Sequence, residues 1–258
     1  MEDKSQKFEL LVCGNPSDNM FEFYNVIINL QTKIKRLTEL VVEYDWNNGK
    51  VNIDIPFYCR NILESVMTAL LGRLDPFRLI IVYKVQSDSE YDLGRRAQAA
   101  VEWTGDIIAK NGSKAKRWCF ENKLESFDRA LLGNYLAEIV WKPAFVKMID
   151  YISEKGIESE WIYEMETMDE NQNFDRMKST AMRLFSSFSK GVHSECLVDS
   201  NILLDDVTLK SLVVDLFKLC ASMSLAIQFV DFATTRIEIQ QALEIFLNVE
   251  EMIIGEFQ

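Results

Sequence analysis

Apolar side chains recur along most of this chain at steps of three and four residues, the spacing that places them on one face of an α-helix. The clearest of these stripes cover residues 20–41, 124–139, 174–188, 209–230 and 243–254. Two prolines suit the first turns of further helices, Pro56 for one that ends near Arg73 and Pro143 for one that ends at Lys155. The chain has only 4 Pro and 10 Gly, which argues against an all-β protein rich in tight turns. We predict an all-α, multi-helix bundle.

Four shorter stretches have less decisive patterns. Residues 51–55 alternate apolar and polar side chains as a short strand does, and 77–86 is too short to distinguish a helix from a buried strand. A helix is predicted over 90–109. The acidic residues after Gly156 predict an irregular helix or a solvated connection. We therefore expect at most a few short strands in the bundle.

Charge is distributed unevenly over the chain. The sequence contains 28 basic and 40 acidic residues, a net charge of −12, of which 1–150 carry −1 and 151–258 carry −11. The acidic second part repels polyanions and attracts basic partners. We predict one helical domain over 1–258, with a division into helical parts 1–156 and 157–258 as the alternative.

Cysteine and histidine usage narrows the possible chemistry. Five Cys without a C-x-x-C pair, and a single His, exclude zinc ribbons and His-rich metal sites, so no metal or cofactor is expected. This use of Cys suits a reducing cytoplasm. The most apolar stretch, 211–233, contains Asp215, Lys218 and Asp231, whose burial in a bilayer costs about 2.5–3.5 kcal/mol each. We therefore expect a cytoplasmic protein without a membrane span, in which this stretch is a core helix.

The single histidine, His193, is the first candidate for catalysis. It follows the 174–188 stripe, whose helix is expected to end at Gly191, so the negative end of the helix dipole favours a protonated imidazole. Beside Lys190 and Ser194, such a group can act as an acid or a base toward a phosphodiester. The alternative is that His193 only donates hydrogen bonds to the last helical carbonyls.

Two charged segments are candidate binding sites. A basic loop followed by an aromatic residue, Trp118, suits the backbone of a nucleic acid. Its four positive charges are Lys110, Lys114, Lys116 and Arg117. Residues 154–170 carry seven acids against one base, which suits a basic partner. In each case the alternative is an ordinary solvated loop or connection.

Two segments resemble helical domains of the HEPN superfamily. In the first, 185–195 (FSSFSKGVHSE), an apolar helix ends in a polar turn that holds a His, as in the C-terminal part of those domains. The second, 60–70 (RNILESVMTAL), is similar to their early helix, which bears an Arg and a Glu, here Arg60 and Glu64. The resemblance implies a HEPN-like bundle, and such domains usually pair.

The resemblance also implies a catalytic pattern that this chain lacks in part. In HEPN ribonucleases an Arg four to six residues before the His is thought to bind the scissile phosphate, while the His helps to activate the 2′-hydroxyl. Ser186, Ser187 and Phe188 precede the His here without an Arg among them, and Arg183 lies further upstream while Lys190 lies closer to the His. A Lys replaces the two-pronged guanidinium only as a point charge.

Two functions follow from these observations. The first is a non-catalytic or degenerate HEPN-like interaction subunit, for which the resemblance implies a prokaryotic defence or toxin–antitoxin assembly. Its partner would be another protein or a second copy of the chain, with the 20–41 stripe as an apolar seam. The alternative is a metal-independent endoribonuclease that cleaves RNA with His193, Lys190 and Ser194 at a dimer interface. The missing Arg and the acidic second part favour the first function.

Overall fold

Helices make up almost all the regular structure in a computed structural model of this chain. The structure describes residues 7–16, 21–92, 94, 99–110, 129–192 and 204–257. No β-strand occurs within those ranges. The expectation of an all-α, multi-helix fold is confirmed.

Nine helices of six residues or more form the framework of the described ranges. They are α1 (Phe8–Cys13), α2 (Phe21–Val42), α3 (Val51–Leu74), α4 (Pro76–Gln86), α5 (Lys142–Lys155), α6 (Glu160–Glu166), α7 (Glu170–Val192), α8 (Asp206–Ala226) and α9 (Ile239–Phe257). Shorter helical segments lie at Trp103–Ile107, Asn134–Leu136, Ala137–Trp141 and Ile227–Phe229.

The beginning of α3 corrects a sequence expectation. The strand expected over 51–55 is wrong, because these residues form the first turns of this helix. Val51 and Ile55 lie one helical turn apart and both are buried, so five alternating residues fit a helix as well as a strand. Pro56 therefore lies inside α3 instead of in its first turn.

The stretch 77–86, which the sequence left open, is helical and belongs to α4. The Asp75 side chain accepts a hydrogen bond from the Arg78 backbone N–H at 3.3 Å and so caps the helix. Pro76 occupies the first helical position, where a missing N–H costs nothing.

The helix expected over 90–109 is wrong. Within that stretch the described residues contain no α-helix, and a single wide turn at Trp103–Ile107 is the one helical segment among them. Gly105 has a φ of 118° in this turn, a conformation that L-residues rarely adopt. A regular helix therefore cannot continue through it.

Two other stretches differ in detail from their expectations. The acidic residues after Gly156 form the regular helix α6, because the Ser159 side chain accepts a hydrogen bond from the Ile162 backbone N–H at 3.1 Å and caps it. Of the 124–139 stripe, residues 124–128 lie outside the described residues, and the remainder becomes helical at Asn134.

The amphipathic helix α7 buries the face that its stripe predicts. It continues one residue past Gly191, the predicted end. Phe185 is only half-buried, whereas the other large apolar side chains of the stripe pack in the core. Those buried residues are Phe174, Met177, Ala181, Leu184 and Phe188.

The 20–41 stripe faces the chain's own core. Phe23, Ile27, Ile34 and Val41 are buried, and α2 packs against α1, α3 and α4. The stripe is therefore already covered within one chain and does not offer the free apolar seam that the sequence suggested.

Helix α8 lies at the centre of the core. With the turn after it, this helix is long and apolar enough to cross a membrane, by length and composition only, over Asp206–Phe229. In the most apolar window, 83% of the residues are buried inside the structure. The core helix of a soluble protein has the same properties, so this finding agrees with the expectation for 211–233.

The arginine in the last turn of α3, Arg73, is completely buried. Its guanidinium donates hydrogen bonds to the carbonyl oxygens of Leu11, Val12 and Thr235 at 3.3, 2.9 and 2.8 Å, and to the Gln228 side chain at 3.0 Å. Burial lowers its pKa to about 9, so the group remains cationic at neutral pH. Arg73 thus joins the ends of α3 and α1 to the segment between α8 and α9.

Replacing Arg73 by Met is expected to lower the free energy of unfolding by about 3 kcal/mol or more, because several buried acceptors lose their donors. Urea denaturation followed by circular dichroism measures this change. The matched control is Arg36→Met, since Arg36 is exposed on α2 and its loss should cost less than about 0.5 kcal/mol. Equal stability of Arg73→Met and the wild type would contradict the role given to this side chain.

One carboxylate of α6, Glu164, contacts both neighbouring helices. Arg176 of α7 donates a hydrogen bond to it, and the Lys218 ammonium of α8 lies 2.5 Å from its Oε1. Burial acts to raise the pKa of Glu164, but the hydrogen bonds from Lys218 and Arg176 outweigh burial and hold the pKa below its ordinary value.

The lowered pKa predicts that Glu164 stabilises the fold at neutral pH and that this contribution is lost in acid. As the pH falls below about 4.5, the unfolded chain takes up the proton first, so the free energy of unfolding decreases. Glu164→Gln should cost about 1 kcal/mol at pH 7 and less at about pH 3.5. Urea unfolding at both pH values tests this, with the exposed Glu158→Gln as control. A cost that does not change with pH would refute it.

Candidate functional site

The structure describes only part of the site that the sequence predicts. His193 and Ser194 lie outside the described residues. The same holds for three of the four charges in the basic loop, Lys114, Lys116 and Arg117. Lys190 and Lys110 are described, and both are exposed. The last turn of α7, which leads to position 193, is therefore where the site can be examined.

At this turn α7 comes into direct contact with α3. Arg60 of α3 donates hydrogen bonds from Nη1 to the carbonyl oxygen of Phe185, at 3.1 Å, and to the hydroxyl of Ser189. Its Nε donates to Glu64, one turn later in α3, at 2.9 Å. The end of α7 is thus fixed to α3 through one guanidinium.

An aromatic stack continues this contact. The guanidinium carbon of Arg60 lies 3.2 Å from the centroid of the Phe185 ring, within the range of a cation–π interaction. The other neighbour of Phe185 is Trp103, whose ring lies parallel to it with centroids 4.0 Å apart and an interplanar angle of 10°. We call Arg60, Glu64, Trp103, Phe185 and Ser189 the Arg60 cluster.

Within the Arg60 cluster, the Arg60 guanidinium forms hydrogen bonds and an ion pair with groups of its own chain. The Arg60 side chain is only 15% exposed, whereas the side chain of its carboxylate partner Glu64 is 45% exposed. An anionic ligand would have to displace Glu64 before it could form a bidentate contact with the guanidinium. The arrangement therefore acts as a structural clamp on α7, while Lys190, the next residue after Ser189, faces solvent.

Sequence reasoning found part of this cluster. The resemblance singles out Arg60 and Glu64, but it gives no role to Trp103. A signal for Phe185 was present, because it follows the buried Leu184 directly and so points away from the centre of the buried face of α7.

The three cysteines within the described ranges are buried thiols. Cys13, Cys59 and Cys220 are buried, and burial raises the pKa of each thiol, for Cys13 to about 12, so all three are protonated at neutral pH. Across the described ranges, His, Cys, Asp and Glu side chains form no group of three or more that could hold a metal ion.

The Arg60 cluster and the last turn of α7 thus constitute the candidate site. Its residues come from α3, from the turn at Trp103–Ile107 and from α7. No protein-family model, curated protein or solved structure matches this chain.

Proposed function

We propose that this chain is a non-catalytic, HEPN-like helical interaction subunit. The observation that carries the proposal is the engagement of Arg60 by Glu64, Phe185 and Ser189, which leaves the guanidinium directed at its own chain. The net charge of −11 over 151–258 also opposes a polyanionic substrate. The HEPN resemblance implies a place in a prokaryotic defence or toxin–antitoxin assembly.

An exposed apolar stripe on α4 supports an interaction role. Phe77, Ile81 and Val85 follow one another at steps of four residues, and all three are exposed, Phe77 by 72%. The opposite side of the helix packs on α2 and α3 through the buried Leu79. Contiguous exposed apolar surface of this kind marks protein interaction sites more often than plain solvent-facing surface.

One observation favours ribonuclease activity as a second candidate. Arg60 reaches Ser189, which lies four residues before His193, within the window where HEPN ribonucleases carry their Arg. A guanidinium from α3 is therefore close to the position that the sequence of α7 leaves without one. In this candidate His193, Lys190 and Ser194 cleave RNA at a dimer interface.

RNA cleavage by the purified protein separates the two candidates. For an interaction subunit we expect no cleavage of single-stranded RNA or tRNA, with or without a divalent metal, and no difference between the wild type and His193→Ala. The loss of stability in this variant should be about 0.5–1.5 kcal/mol, the contribution of one hydrogen bond.

Ribonuclease activity would give a different pattern among the same variants. Wild-type cleavage that disappears in His193→Ala and weakens in Lys190→Ala would establish the ribonuclease and refute the non-catalytic proposal. The control Lys33→Ala removes an exposed lysine from α2 and should leave any cleavage unchanged. Circular dichroism verifies that each variant is folded.

The interaction role predicts self-association or a tightly bound partner. Light scattering of the purified protein should give a mass at least twice the 29.9 kDa of one chain, or a stable complex with a co-purifying protein. Phe77→Ser combined with Ile81→Ser should return the mass to that of one chain, because it removes the apolar stripe. The exposed Val146→Ser on α5 is the matched control. A single chain without a partner at high concentration would contradict this prediction.

A further inference from the structure

A groove along α6, α7, α8 and α9 has an apolar part and a charged part. The apolar part is a small cavity of about 60 Å³, and its apolar walls are Phe145, Met165, Met168, Met177 and Leu219. The charged part is larger, about 510 Å³, and is lined, among others, by Glu160, Val207, Lys210, Glu256 and Phe257. Glu164 borders both parts. We call the whole cleft the methionine groove.

The wall that α6 forms is fixed at both of its ends. Glu250 of α9 accepts a hydrogen bond from the Trp161 backbone N–H at 2.8 Å, at the beginning of α6. At its end, the Asn173 side chain of α7 donates to the carbonyl oxygens of Met165 and Met168 at 2.9 and 3.2 Å. The groove is therefore preformed, while its unbranched methionine side chains can adapt to different apolar groups.

The basic side chains that line the groove are engaged within the chain. Arg176 and Lys218 both contact Glu164. The Lys210 ammonium lies 5.2 Å from the centroid of the Trp46 ring. Their charge is directed at groups of this chain, so the groove is not arranged to receive an anion.

Two exposed acidic side chains line the charged part of the groove. Glu160 of α6 and Glu256 of α9 take part in no ion pair with another described residue. They line the same part of the groove as Val207, which is 80% exposed. Both belong to residues 151–258, whose net charge is −11. A segment that carries Lys or Arg beside an apolar side chain is complementary to this surface.

We propose that the methionine groove binds a basic amphipathic segment of a partner protein. An apolar side chain of the segment enters the apolar part, and its Lys or Arg residues contact Glu160 and Glu256. This inference rests on the proposed role as an interaction subunit and specifies the chemistry of the partner. The same charges repel acidic segments and polyanions such as RNA.

Fluorescence anisotropy with the full chain and a labelled synthetic peptide tests the proposal. The probe is a short peptide of Leu and Lys with Leu at helical spacing, and the matched peptide keeps every Leu but carries Glu in place of Lys. The Lys peptide should bind at least about tenfold more tightly than the Glu peptide, since opposite charges attract only in the first case. Added salt should weaken its binding.

Variants of the groove locate the binding. Glu160→Gln combined with Glu256→Gln should weaken binding of the Lys peptide about fivefold, because two ion pairs are lost. Thr180→Trp places an indole at the apolar part and should weaken binding about tenfold. The control pair Asp150→Asn with Glu154→Gln removes the same charge from exposed positions on α5 and should change affinity less than about twofold.

Three outcomes would overturn the proposal: no binding of the Lys peptide, equal binding of the two peptides, or equal weakening by the groove pair and the control pair. Glu160 and Glu256 are exposed, so replacing both by Gln leaves the fold intact. The affinity of this double variant therefore tests the proposal even if Thr180→Trp disturbs α7. The mass of the assembly and RNA cleavage are measured separately. Failure of the groove proposal is therefore distinguishable from failure of the proposed function.

Discussion

The folded chain depends on a buried positive charge that is surrounded by carbonyl oxygens. Arg73 binds the last turn of α1 and the residues before α9, and the partial negative charge at the end of a helix stabilises its guanidinium. A helix of six residues such as α1 is not stable by itself in water. Its position on α8, where the rings of Phe8 and Phe217 lie 5.3 Å apart, therefore relies on this connection. One side chain of α3 thus joins the end of α1 to the segment between α8 and α9.

The sequence predicts those helices well that bury one face and expose the other. Helices α2, α7 and α9 have such faces, and their apolar stripes report them directly. The beginning of α3 was misread because five residues that alternate in polarity do not distinguish a helix from a strand. The helix expected over 90–109 fails for a different reason, since the positive φ of Gly105 is a backbone property that apolar spacing does not encode. Likewise, the 20–41 stripe shows which face is apolar, but not that the same chain covers it.

The sequence predicted some of the residues of the candidate site, but it did not predict which residues contact one another. The resemblance draws attention to Arg60 and to the end of α7, yet the hydrogen bond from Arg60 to Phe185 joins residues 125 positions apart. Such a contact depends on how α3 and α7 are placed along each other, which no local pattern determines. The stack of Trp103 on Phe185 depends in addition on the irregular turn that presents the indole. The Glu164 bridge is similarly a tertiary feature, because its three charges come from three helices.

The distribution of paired charges is the physical argument behind proposing binding over catalysis. A catalytic site keeps preorganised charges available for the charge that develops in the transition state. In this structure Arg176 and Arg183 of α7 are paired with Glu164 and Asp215, and Arg60 is paired with Glu64. The pairs of Arg176 and Arg183 therefore join neighbouring helices, whereas the exposed Glu160 and Glu256 take part in no ion pair with another described residue. An acidic surface beside an apolar groove attracts most strongly a partner that is both cationic and partly apolar. Protein segments are ligands that combine positive charge with apolar side chains.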